Sequence, residues 1–362
     1  MRAITFTVFA TIVLLTSISA TPVTSAEVEI VPADFNEARQ PQIAIAEDGA
    51  IYIVFGRGEE IFLSVSQDRG ASYHAPLKVG NLPGLALGMR RGPRLAVFQQ
   101  SLVITAQSHD LFAFHSTDAG QTWSEPSRIN TAAESAREGL HALAQGPNGR
   151  VVATWLDLRS GQMELYAAAS KDEGATWEND SLIYHSPDEH ICECCHPSAT
   201  FNAAGDVAFM WRNWLEGSRD LWTAVRPRDA LTLTNSRKEG RGTWKLNGCP
   251  MDGGAIFPLA DGSFGSVWRR EKTVFLSLGA GDEQRIGEGA QPFAVVARGT
   301  PHVFWQQGDK LLHMASRANS EPTEIATHAR FGAAAVSSTG RIAVVFEKSS
   351  ENRNSIFGTI LD

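Results

Sequence analysis

Once its first residues are passed, this chain has no long apolar run. No stretch after residue 26 approaches the 18 consecutive apolar residues that a membrane-crossing helix needs. Basic clusters are missing too. The formal charge is −8, with no lysine- or arginine-rich patch and no charged tail, which argues against a nucleic-acid partner. No segment has a convincing helical period. No linker or shift of composition divides the chain, so one domain is expected. Cysteine is scarce, at four in 362 residues, and none lies near residue 26, which argues against a lipid anchor there.

The start of the chain has its own character. Arg2 is followed by a mainly apolar stretch to Leu15, and Thr24-Ser25-Ala26 supplies small residues before a cut. Residues 1–26 read as a secretory signal peptide, which leaves 27–362 as a periplasmic or secreted protein without a membrane span. In such an oxidising compartment four cysteines could close two disulfides.

What is present in abundance is repetition. An apolar strand, a Gly/Asn/Asp turn and a second strand ending in an aromatic recur along the chain. Examples of the second strand are Ile51 to Phe55, Val151 to Trp155, Val207 to Trp211, His302 to Trp305 and Ile342 to Phe346. Seven units begin near Gln42, Gly92, Leu140, His196, Asp252, Gln291 and Arg330. Short strands at this spacing predict an all-β protein, a β-propeller of four-stranded blades, seven most naturally and six as the alternative. The last unit is one strand short, and Glu27 to Val31 is expected to complete it and close the ring. The polar insertion from Arg226 to Gly242 reads as a surface excursion of the fourth blade.

Three segments share the pattern Ser-x-Asp-x-Gly-x-(Ser/Thr)-(Trp/Tyr): Ser66 to Tyr73, Ser116 to Trp123 and Ser170 to Trp177. Asp68, Asp118 and Asp172 are placed to accept backbone N–H groups of a turn. Gly70, Gly120 and Gly174 are placed to take a positive φ. The pattern resembles the Asp-box (BNR) motif, and the chain resembles the sialidase-like β-propeller superfamily. That resemblance implies the fold, and it implies box turns on the face away from the site. A sialidase of this family holds a carboxylate with three arginines and uses a late tyrosine paired with a glutamate as nucleophile and an aspartate as acid. Here the tyrosines stand at 52, 73, 166 and 184 with none later, and Gly92-Pro93-Arg94-Leu95 is a distant echo of the family's Phe/Tyr-Arg-Ile-Pro. If the chain is a glycoside hydrolase of this kind, the resemblance implies Arg94, Arg212 and one of Arg269 or Arg270 for the carboxylate, and Asp157, Glu164 or Asp252 for acid and base.

In a propeller, the start of each innermost strand and the end of each second strand lie on one face. Arg94, His141, His196, Asp252, Asp157, Arg212 and Arg269 all fall at such positions. So do two cysteine segments, His190-Ile-Cys192-Glu-Cys194-Cys195-His196-Pro197 and Cys249-Pro-Met251-Asp252. Thiolates, imidazole and a thioether favour copper(I) or zinc over magnesium or calcium. The expected metal set is therefore Cys192, Cys194, Cys195, His196, Cys249 and Met251, with Met251 tilting the choice toward copper. The partner is then a metal ion, or else a small anionic or glycan ligand. A scaffold stapled by disulfides that binds a protein or glycan on the same face is the competing reading.

Overall fold

The structure, a computed structural model, describes residues 25–362 except 189, 231, 280–281 and 351–352. The signal-peptide reading therefore falls, through residue 24, outside the described residues. All regular elements among the described residues are strands, and they form seven four-stranded antiparallel sheets. Among the described residues no helix is long and apolar enough to cross a membrane.

The seven sheets are the seven sequence units. Their innermost strands are Arg39–Ile45, Arg94–Val97, His141–Gln145, Ser198–Phe201, Gly254–Pro258, Ala290–Ala297 and Ala329–Val336. Each packs against the next, and the last packs against the first, so the sheets close into a ring. The seventh blade takes its outermost strand from the other end of the chain: Val28 pairs with Gly358 and Glu29 with Phe357. That closure covers the outer edge of Arg353–Leu361 in the seventh blade. The insertion after Arg226 belongs to the fourth blade, whose outermost strand is Arg237–Lys238.

Period-two alternation sends large aromatics between the blades. Trp155, Trp211, Trp268 and Trp305, each near the end of a second strand, are at most 2% exposed and form the blade core. The Asp-box turns follow the expected chemistry. Ser72 donates to Asp68 through Oγ and N–H, at 2.6 and 2.9 Å, and Ser66 Oγ donates at 2.8 Å. Those bonds hold the Asp68 carboxyl down at about 2, and the other two boxes repeat the geometry. Gly174 shows why glycine is required. Its φ is +89°, and a Cβ there would lie 2.6 Å from Val103 Cβ of the neighbouring blade. Antiparallel pairing places the start of each innermost strand beside the end of the second, as in His141 opposite Trp155 and Gly254 opposite Trp268. This pairing gathers the polar residues on one face.

Candidate metal centre and central face

The link from the third blade to the fourth carries the cysteines. Ile191 bridges to Asn213, and Cys192 N–H donates to the Arg212 carbonyl at 2.8 Å, which ties the link to the end of the fourth blade's second strand. A turn closed by Cys195 N–H on the Cys192 carbonyl at 3.4 Å then folds the segment on itself. Three sulfurs converge as a result. Cys192 Sγ lies 3.5 Å from Cys194 Sγ and 3.3 Å from Cys195 Sγ, and the remaining pair is 3.9 Å apart. All three are buried, all four thiols of the chain are free, and Met251 packs against the cluster. Cys249 is exposed. Its contact with Cys194, together with burial and nearby acidic groups, raises its pKa.

The cluster has one preferred thiolate. Hydrogen bonds from Cys194 and Cys195, then the charges of Arg219 and Arg212, bring the Cys192 thiol far below its ordinary range. Arg219 Nη1 lies 3.0 Å from Cys192 Sγ. Burial has the opposite effect on Cys195 and keeps its proton. Arg219 itself lies over the Trp214 ring at 4.5 Å.

His196 stands apart from the sulfurs. Its Nδ1 accepts the Gly253 N–H at 3.3 Å, and its ring lines the central channel. Accepting through Nδ1 leaves the proton on Nε2, so the ring offers no lone pair in that tautomer. The converging donors are therefore three cysteines, with Met251 and Cys249 beside them.

Arg212 is 2% exposed, and its three recorded bonds all go to backbone carbonyls: Asp252 at 2.9 Å, Arg219 at 2.6 Å and Arg269 at 3.1 Å. It fastens the fourth blade to the fifth and is committed to that role. Asp252 is fully buried. Its Oδ2 accepts from Gln291 N–H at 2.8 Å and Arg269 Nη1 at 3.2 Å, while Oδ1 has no partner, and burial raises its pKa. Arg270 points away from this group and pairs with Glu283. Asp157 is saturated by Ser135, Trp155 and Arg159, and Arg159 is gripped on its other side by Asp180. Glu164 pairs with His185 at 2.8 Å. Arg94 lines the channel, and none of the four tyrosines does. A hydrolase of the retaining or inverting kind needs two carboxyl groups across a substrate. All three acidic candidates are paired, Asp157 with Arg159, Glu164 with His185 and Asp252 with Arg269, and Glu164 Oε2 and Asp252 Oδ1 have no partner among the described residues.

Three residues that matter here carry no obvious sequence signal: Arg90, Arg219 and Glu347. Arg90 reaches from the loop after the first blade to Gln291 and to the Gly332 carbonyl. Glu347 is buried and accepts from Gln40, and burial pushes its pKa up to about 7 despite Arg39, Arg90 and Arg330 nearby. The folded protein therefore holds this proton above the unfolded carboxyl's range. The stability it confers is complete below about pH 4.5 and is lost as pH rises to about 7, a change of about 3 kcal/mol. Glu347→Gln is expected to remove that share of the slope, read as the difference between variant and wild-type urea stabilities at pH 5 and 7.5.

No protein-family model and no curated protein matches this chain. Solved structures do. An alpha-L-arabinanase of Penicillium chrysogenum, solved with arabinobiose, aligns at TM-score 0.55 and 15% identity over 94% of this chain and 98% of its own. A virginiamycin B lyase of Staphylococcus aureus aligns at 0.58 and 13%, covering 93% and 99%. The polysaccharide lyase Uly1 aligns at 0.60 and 8%, covering 91% and 90%. The likeness settles the fold: a seven-bladed β-propeller, the architecture these glycosidases and lyases share. At these identities the likeness speaks for architecture and not for chemistry.

Proposed function

We propose that this protein is an exported propeller that binds copper(I) through Cys192, Cys194 and Cys195 on its central face. The observation that carries the reading is the sulfur triangle, with sides of 3.3, 3.5 and 3.9 Å. Such a triangle has a circumscribed radius of about 2.1 Å. An ion at the usual metal–thiolate distance of about 2.3 Å touches all three sulfurs while standing about 1 Å off their plane. The open side of that pyramid suits a fourth, weaker donor, and Met251 and Cys249 are the two beside the cluster.

Two guanidinium groups act on the cluster, Arg219 in contact and Arg212 through its field, and offset part of the thiolates' negative charge, to which Glu193 adds. Sulfur donors suit copper(I) and zinc alike, and the Met251 thioether beside the cluster tilts the choice to copper(I).

The test is anaerobic loading of the metal-free protein with copper(I) against a competing chelator, followed by metal analysis and thiol counting. One copper per chain, with three thiols protected from alkylation and a near-ultraviolet thiolate-to-metal band, is the expected result. Tight zinc binding without copper would point to a different ion, and fully disulfide-bonded native cysteines would end the proposal.

A further inference from the structure

We propose that Cys249 is the entry thiol of the cysteine cluster: it takes copper(I) from an external thiolate carrier and hands it to Cys194. The inference rests on the copper(I) reading of the cluster. It adds the class of partner, a small molecule or protein that holds copper(I) through its own sulfurs.

The four sulfurs are graded by depth. Cys192 and Cys195 are 1% exposed, Cys194 is 7% exposed and Cys249 is exposed. Cys249 touches Cys194, the least buried of the three. The sulfurs that all lie within 4.8 Å of one another are those of Cys192, Cys194 and Cys195, so Cys249 adjoins the triangle without joining it. The four thiols thus form a path from solvent to the interior, with Cys194 as the shared step.

The loop that carries Cys249 is fixed on both sides. Before it, Arg219 donates through Nε to the Leu246 carbonyl at 3.3 Å while its Nη1 meets Cys192 Sγ. After it, buried Asp252 accepts from Arg269 and from the Gln291 N–H. Between these anchors the chain stands in the open: a Cβ added at Gly248 would meet nothing within 4 Å except Leu246 of the same loop. The fold therefore holds one thiol at the surface against a cluster that is otherwise closed.

Copper(I) moves between thiolates by ligand exchange, one bond forming as another breaks, so carrier and receiving sulfur must touch at the same moment. Buried Cys192 and Cys195 cannot meet a carrier in that way, and Cys249 can. The Cys249 thiol gives up its proton as its bond to copper forms, and a carrier thiolate leaves and takes a proton. Cys194 and then Cys192 and Cys195 replace the remaining donors, and Cys249 regains a proton as it is released. Copper stays monovalent throughout, so no oxidant or reductant is needed. Met251 is left as the fourth donor of the loaded site.

The test mixes the metal-free full chain anaerobically with copper(I)–glutathione. The reaction is quenched at intervals with a chelator that takes the copper still on glutathione, and chelator competition gives the affinity of each protein. Cys249→Ser and Cys249→Ala are expected to slow uptake about 10-fold or more, and to slow removal by excess glutathione by the same factor, because a transit ligand acts on both directions alike. Affinity should stay within about 3-fold of wild type, since the ratio of the two rates is preserved. Unchanged rates in both variants overturn the proposal and leave the copper(I) reading intact. Slower uptake with removal unslowed, and hence an equal loss of affinity, makes Cys249 a resident ligand and overturns it too. A wild-type chain that binds no copper(I) at equilibrium refutes the copper(I) reading and the entry role together.

Discussion

Cys192→Ser is expected to lower copper(I) affinity roughly 10²–10³-fold, the largest effect of any single change in the cluster. A four-donor thiolate-rich site is worth about 10–16 kcal/mol, so one donor carries on the order of 3–4 kcal/mol. Cys192 stands out from its neighbours because it is the sulfur that both other thiols and Arg219 approach. Serine keeps the volume but cannot hold the negative charge, and Arg219 loses its anionic partner. Competition with a copper(I) chelator measures the loss. Cys249→Ser provides the contrast: that thiol is exposed and beside only Cys194, and its removal should cost much less. Equal losses at Cys192 and Cys249 would mean that the ion sits elsewhere in the group.

Arg212→Lys should destabilise the fold by about 3–5 kcal/mol, although the charge is conserved. The guanidinium reaches carbonyls of Asp252, Arg219 and Arg269 in three directions from one planar group. An ammonium on a flexible stem cannot span all three, and each buried carbonyl left without a donor costs about 1–3 kcal/mol. Urea unfolding followed by tryptophan fluorescence gives the measure, since Trp211 and Trp268 lie in the two blades that Arg212 joins. A midpoint within error of wild type would show that the three contacts contribute little.

The scaffold was legible in the chain because its determinants are local. Alternation, a turn signal and a terminal aromatic specify each blade without reference to distant residues, and the three boxes fix their own turns. Even the closing strand could be foreseen, because the seventh unit lacked a partner. The face was legible as a consequence of the fold: strand polarity alone put Arg94, Asp157, Arg212 and Asp252 on one side. What each of them does there was not legible. Arg212 fits a ligand-binding role in sequence, and the fold engages it instead with backbone carbonyls. Those contacts join residues brought together only by the ring or by loop geometry. Arg90 is the clearest case, since its partners Gln291 and Gly332 lie about two hundred or more residues away in sequence. The cysteines lie between these extremes. Their spacing announced a cluster, but whether His196 would turn toward the sulfurs or toward Gly253 depended on a loop from the next blade.

The pairing of Val28 and Glu29 with Phe357 and Gly358 also sets the order of events in folding. A segment near the start of the folded region must wait for Arg353–Leu361, so the ring cannot close before the seventh blade has been made. Until then the seventh blade presents a bare strand edge, the kind of edge that recruits other chains. A contact of such sequence separation forms late and slowly. That edge is the part of the unfinished ring most open to pairing with another chain, while the cysteine cluster lies apart from it, between the third and fourth blades.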